Sequence, residues 1–172
     1  RMPSQFLRLN CYGAQARARR KPHENAYDIL AEAARAPGAT PHVHRPKPPL
    51  LLFGIDPQAL QGAIDVVVST GRDRRGSPLR RDAVVLYAIV ASYPFSWQEL
   101  DGQEPVLVYR AWCQAVVEFL KSEFEGDLKS VVAHIDEGRP HLHGFVIPPL
   151  CPRNRIEHRL HPGYAARNIA IA

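Results

Sequence analysis

Residues 129–147 read KSVVAHIDEGRPHLHGFVI, and the pattern within them decides the fold. Lys129 to His134 and His141 to Ile147 are rich in β-branched and apolar residues, which favour strands. Between them the segment Ile135 to Pro140, with its acidic pair, glycine and proline, reads as the turn that folds one strand back on the other. Side chains two apart on a strand share a face, so His141 and His143 project together while Leu142 enters the opposite side. Folding back sets His134 across from His141, and three imidazoles converge on one point.

Upstream, strand-like and helix-like stretches alternate. Phe6 to Tyr12 reads as a short strand, and Asn25 to Ala34 as a helix with Asn25 as its N-cap and Pro37-Gly38 as its stop. Pro41 to Pro49, rich in proline and basic residues, reads as an extended connector. Leu50 to Ile55 is a compact apolar run expected to be a buried strand. Ala59 to Val68 reads as a helix, Gly71 to Pro78 as an Arg- and Gly-rich loop, and Asp82 to Tyr93 (DAVVLYAIVASY) as a central strand. From Val108 to Glu125, Trp112, Val116, Val117, Phe119, Leu120 and Phe124 recur at helical spacing, so this helix lays one face on a sheet. Beyond Pro149 the tail is polar and irregular, and no internal repeat is present. The order strand, helix, strand, helix, strand, helix, strand, strand predicts an α+β domain with helices packed on a largely antiparallel sheet. At 172 residues the chain forms one domain.

Imidazole suits borderline divalent cations, and three of them leave coordination positions open for water or substrate oxygen. Asp136 and Glu137 stand in the turn, where a carboxylate can join the ligands or orient an imidazole from behind. A hydrogen-bonded histidine network without metal is the alternative reading.

The formal charge of +5 favours polyanionic partners. Arg17, Arg19, Arg20 and Lys21 form one basic cluster, and Arg72, Arg74, Arg75, Arg80 and Arg81 a second, interspersed with Asp73 and Asp82. Guanidinium forks suit phosphate oxygens, whereas a solvated charged face is the plainer reading of either cluster. Cys11, Cys113 and Cys151 are odd in number and widely spaced, which fits neither a disulfide framework nor a paired metal site, so a reducing cytoplasm is expected. No stretch approaches the roughly 18 to 20 apolar residues of a membrane span, and Arg1 to Gln5 lacks the apolar run of a secretory signal.

The segment HIDEGRPHLHGFVIP resembles the HxDExxPHxH metal motif of Mob/Pre plasmid mobilisation relaxases, the MOBV group of the HUH endonucleases, and matches all its fixed positions. LRRDAVVLYAIVAS resembles that family's second motif, and the helix from Arg110 to Phe124 falls where the family has one. The resemblance covers about Leu79 to Pro148 well and the first half of the chain loosely. It implies a five-stranded antiparallel sheet with flanking helices and Mn or Mg held by His134, His141 and His143, with Glu137 in the catalytic machinery. The implied activity is strand-specific transesterification at an origin of transfer. Its product is a 5′-phosphoprotein bond and a free 3′-OH. The implied partners are the single-stranded nick region, an adjacent hairpin or inverted repeat, and other transfer proteins. Because family members run longer, residues 1–172 are expected to be the N-terminal part of a larger protein.

The family's first motif, HxxR, is absent; Glu32-Ala-Ala-Arg35 has its spacing with Glu in place of His. Tyr27, in the helix where the family carries its nucleophile, is the first choice for the attacking group, with His42 and His23 as alternatives. Packing of the Tyr27 ring between helices competes with that role. Arg35 is expected to clamp phosphate, and Arg8, Arg17, Arg19, Arg74, Arg75, Arg80 and Arg81 to contact DNA.

Two rival readings stand beside this one. His141-Leu-His143-Gly-Phe145 partly resembles the alternating histidines of HIT-type nucleotide hydrolases, but Phe145 stands where that motif needs a third histidine. A DNA-binding module of the same fold that has lost nicking fits the missing HxxR. Tyr12, Tyr93 and Trp97 are either stacking platforms for bases or core residues, and their apolar neighbours favour core.

Overall fold

The computed structural model describes residues 6–16, 24–100 and 102–156. Its elements follow the expected order: β1 (Phe6–Gly13), α1 (Ala26–Ala33), β2 (Leu50–Gly54), α2 (Leu60–Thr70), β3 (Val84–Ser92), α3 (Gln103–Phe124), β4 (Leu128–His134) and β5 (His141–Val146). The strands form one five-stranded sheet in the order β1-β3-β5-β4-β2, with every neighbouring pair antiparallel. The fold is therefore α+β, an antiparallel sheet flanked by helices. β5, the strand carrying two of the three histidines, is the middle strand and is hydrogen-bonded on both edges, which holds its side chains in fixed register.

The sheet has a core on each face. On one, α3 lays Val116, Val117, Leu120 and Phe124 over Tyr87, Ile89, Val131, Leu142 and Val146. On the other, Leu30 of α1 and Ile64 of α2 pack with Leu86, Val132 and Phe145. Alternation puts His134, His141 and His143 on the α1/α2 face, because Leu142 and Ala133 enter the α3 core. Gly144 lets α3 come close: a Cβ there would lie 2.9 Å from Leu120 Cδ1.

α1 begins as expected, with Asn25 Oδ1 accepting from the Asp28 amide at 3.0 Å. α3 starts at Gln103, earlier than the periodicity suggested, because Pro105 falls in the first turn, where the missing amide costs no helical hydrogen bond. Leu50 to Gly54 is a strand but not a buried one. It lies at the sheet edge, where Leu50 and Leu51 remain 49% and 51% exposed; an apolar run alone does not distinguish edge from interior. Tyr12 and Tyr93 are core residues, Tyr93 meeting Tyr109 and Trp112 edge-on at 5.2 and 5.0 Å, and Trp97 joins the same cluster at 5.3 Å from Tyr109. No helix among the described residues is long and apolar enough to cross a membrane.

Candidate metal centre

His134 ends β4 directly opposite His141, the first residue of β5, and His143 stands two residues along the same face. The ring centroids are 5.1 Å (His134–His141), 4.5 Å (His134–His143) and 5.0 Å (His141–His143) apart, and one nitrogen from each ring lies within 4.8 Å of the others.

Two backbone carbonyls set the tautomers. His134 Nε2 lies 2.8 Å from the Ala33 carbonyl at the end of α1, and His141 Nδ1 lies 3.0 Å from the Arg139 carbonyl in the turn. A carbonyl only accepts, so each of these nitrogens carries its ring's proton. The remaining nitrogens, His134 Nδ1 and His141 Nε2, then face each other with lone pairs at 3.2 Å. With both rings neutral these lone pairs repel, and the repulsion is relieved either by a proton shared as N–H···N or by a metal ion between them. Around an ion with metal–nitrogen bonds of about 2.1 Å, adjacent ligand nitrogens are about 3.0 Å apart in octahedral and about 3.4 Å in tetrahedral geometry, so the observed spacing fits a divalent metal.

The electrostatics agree. His134 is 1% exposed, and its burial, reinforced by the Arg35 and His141 charges against the opposing bond to Ala33, pushes its pKa down to about 4. Burial, then His134 and His141, also pushes His143 well below the ordinary imidazole value. Both rings are neutral near pH 7, the form that binds metal.

Arg35 follows α1 in the left-handed conformation (φ 57°), which turns its side chain back toward the site. Its Nε donates to Asp136 Oδ2 at 2.9 Å, and its Nη2 donates to Asp136 Oδ1 and to Glu137 Oε1, both at 2.7 Å. The Lys47 amide adds a bond to Asp136 Oδ2 at 3.0 Å, which ties the 41–49 connector to the turn. Burial by itself would raise the Asp136 pKa, but Arg35 and the Lys47 amide outweigh it and hold the carboxyl below its usual range. Glu137 Oε1 also lies 3.7 Å from His141 Nε2, within reach of the cation position.

The expectation that Arg35 clamps phosphate is corrected: its side chain is 3% exposed and its fork is occupied by two carboxylates. Tyr27 is not brought to the imidazoles. Its hydroxyl donates to Asp65 of α2 at 2.6 Å, and burial followed by that carboxylate raises its pKa to about 12. Its Cα lies about 9 Å along the helix axis from Ala33, whose carbonyl meets His134. His42 follows the last turn of α1, exposed, with Nε2 3.8 Å from Glu32 Oε1. Arg8 is exposed on β1 and registers with Val90, itself the partner of His143, so it shares the histidine face about 10 Å away, two strand spacings. Arg74, Arg75, Arg80 and Arg81 are exposed, Arg80 pairing with Asp82 at 3.1 Å, and lie at the other end of the sheet from the histidines. His23, Arg17 and Arg19 lie outside the described residues. Sequence reasoning missed the carbonyls of Ala33 and Arg139, which carry no side-chain signal, and the joint role of Arg35, Asp136 and Glu137.

No family sequence model matches the chain, and no curated protein matches it in sequence. Solved structures do. The chain is similar to the MobM relaxase domain (MOBV; Mob_Pre) bound to plasmid pMV158 oriT DNA in a Mn-bound crystal at pH 6.8, with TM-score 0.58 and 16% identity over 91% of this chain and 75% of that one. A Mn-bound crystal of that domain with 23-nucleotide oriT DNA at pH 6.5 gives TM-score 0.55 and 16% identity, over 91% and 73%. A complex with 26-nucleotide oriT DNA gives 0.50 and 17%, over 83% and 67%. At these identities the likeness establishes the fold, that of MOBV relaxase domains.

Proposed function

We propose that this chain is a metal-dependent relaxase domain, which nicks one DNA strand at an origin of transfer and retains the 5′ end covalently. The observation that carries the reading is the convergence of three imidazoles, two with their ligand nitrogens preset by carbonyls, on a fold shared with DNA-bound relaxase domains.

His134 Nδ1, His141 Nε2 and a ring nitrogen of His143 would hold the metal, Mn or Mg. Bound there, a divalent ion supplies Lewis acidity to a non-bridging phosphate oxygen. Glu137 shares the cation's edge of the site, and Arg35 with Asp136 keeps the turn between β4 and β5 closed around it. Arg8, on the same face, neutralises the adjoining phosphate backbone.

For the nucleophile, His42 is preferred to Tyr27. Its imidazole is exposed, Glu32 is near enough to orient it, and it follows the end of α1 that meets His134. The Tyr27 phenol is held by Asp65. Attack forms a nitrogen–phosphorus bond, breaks the phosphorus–O3′ bond and leaves a 3′-hydroxyl. The covalent link conserves the energy for religation, so no nucleotide cofactor is consumed. This activity belongs to conjugative mobilisation in the cytoplasm, with other transfer proteins as partners.

A non-nicking DNA-binding module is favoured by one observation, the commitment of Tyr27 and Arg35 to internal partners. The HIT-type reading has no such support, since Phe145 is 0% exposed in the core. Incubating supercoiled origin plasmid with the protein and Mn, followed by protease and a denaturing gel, separates the two: a relaxase yields open circles with peptide attached, a module only shifts the band. Acid treatment then identifies the linkage, because a phosphohistidine bond hydrolyses in acid and a phosphotyrosine bond survives. An acid-stable adduct that disappears in Tyr27→Phe would return the role to Tyr27.

A further inference from the structure

The carbonyl that fixes the His141 ring is itself held from outside the site. Residues 93–99, between β3 and α3, dock on the turn between β4 and β5 through three hydrogen bonds. The Tyr93 amide donates to the Pro140 carbonyl at 2.9 Å, the Trp97 amide to the Gly138 carbonyl at 3.2 Å, and Arg139 Nη1 to the Pro94 carbonyl at 2.9 Å. Gly138 and Pro140 thus turn their carbonyls to this loop. Arg139, between them, sends its side chain there and gives its carbonyl to His141 Nδ1.

The loop is a firm base for that arrangement. Tyr93 and Trp97 both seat on Tyr109 of α3, with ring centroids 5.2 and 5.3 Å away. Ser96 and Glu99 form a capping box across the single turn of 3-10 helix, the Ser96 amide donating to Glu99 Oε2 at 2.7 Å. The bonds from Ser96, and beyond them the nearby Arg139 charge, hold the Glu99 carboxyl below its usual range. A carbonyl and a carboxylate of the same loop therefore both draw on the Arg139 guanidinium.

The charge of Arg139 does not explain its place. A guanidinium two residues from a metal ligand opposes cation binding through its charge, so coordination alone favours a neutral residue here. Its bond to Pro94 supplies the reason. A ring whose Nδ1–H is pinned to a carbonyl presents Nε2 in one direction, and that nitrogen faces His134 Nδ1 at 3.2 Å. We infer that Arg139 is a positioning residue: by clasping Pro94 it fixes the carbonyl that aims His141 Nε2 at the metal, with the 93–99 loop as anchor. This rests on the metal-dependent reading, which it extends with a second tether. Arg35 holds the turn at Asp136 and Glu137, and Arg139 holds it at the approach to β5.

The test replaces Arg139, an exposed residue, by alanine and by lysine. Mn is titrated by calorimetry at about 1 M KCl, where the Debye length is about 3 Å and the charge effect is screened. Arg139→Ala should bind Mn about tenfold more weakly than the wild type. Arg139→Lys, which keeps a donor for the Pro94 carbonyl, should recover most of that loss. Loss of charge alone acts with the opposite sign and would tighten binding. The second readout is exchange of the His141 Nδ1 proton with water in the metal-free protein, followed by nitrogen-15 NMR. It should be faster in Arg139→Ala and close to the wild-type rate in Arg139→Lys, whereas a merely structural role would lower the urea midpoint and leave this rate unchanged. Mn affinity in Arg139→Ala equal to or tighter than that of the wild type, or an unchanged exchange rate, overturns the inference. If the wild type binds no Mn, the metal reading falls, and the exchange rate alone decides whether Arg139 positions the ring.

Discussion

Replacing Arg35 by alanine tests the internal logic of the site most directly. The guanidinium makes two charged hydrogen bonds to Asp136, whose side chain is 1% exposed, and one to Glu137. Removing it strands a buried carboxylate, a change that costs about 3–5 kcal/mol. The cost depends on pH with a definite sign. In the wild type the Asp136 pKa is depressed, so the pair contributes stability above the ordinary carboxyl value and loses it as pH falls. In the variant the Arg35 contribution is gone and backbone amides, the Lys47 amide among them, are left to oppose burial, so that pKa rises from its wild-type position and the deficit shrinks as pH falls toward 4. Urea unfolding at pH 7 should show a midpoint lower by about 2 M, taking an m-value of about 2 kcal/mol/M, with a clearly smaller difference at pH 4. Arg35→Ala/Asp136→Leu, which removes both charges, should recover most of the loss. Mn titration by calorimetry should show an affinity about 10- to 100-fold weaker in Arg35→Ala, because the turn that orients His141 loosens. Midpoints equal to the wild type at both pH values would refute the claim that this ion cluster holds the site together.

Four other outcomes follow from the geometry. His141→Ala should abolish Mn binding measured by calorimetry while leaving the circular dichroism spectrum intact, and chelation of the wild type should lower its melting temperature by removing a ligand specific to the folded state. The metal-free protein should lose stability in acid: His134 has a folded pKa of about 4 against about 6.5 unfolded, so its contribution is complete above pH 6.5 and disappears as pH falls toward 4, a loss of about 3 kcal/mol readable from urea midpoints. Gly144→Ala should destabilise by about 1–3 kcal/mol because its Cβ meets Leu120, and Leu120→Ala in the same chain should recover part of that cost relative to the two changes added singly.

Much of this molecule was legible in the residues themselves. Strand alternation over residues 129–147 placed His134 opposite His141 and both on the face of His143, because a period of two and a reversing turn leave little freedom. The order of eight elements was equally readable, since each is punctuated by proline, glycine or a capping residue such as Asn25. Local pattern did not reveal that Leu50 to Gly54 is an edge strand, nor that Arg35 faces inward to Asp136 and Glu137 instead of outward to a phosphate. It could not report that Ala33 and Arg139 carbonyls select the imidazole tautomers, or that Arg155 joins the loop of Arg72. The division has a physical cause. Side-chain direction along one strand is a property of adjacent residues, whereas the identity of a charge's partner depends on which distant segments the sheet brings together, and that is settled only when the whole chain packs.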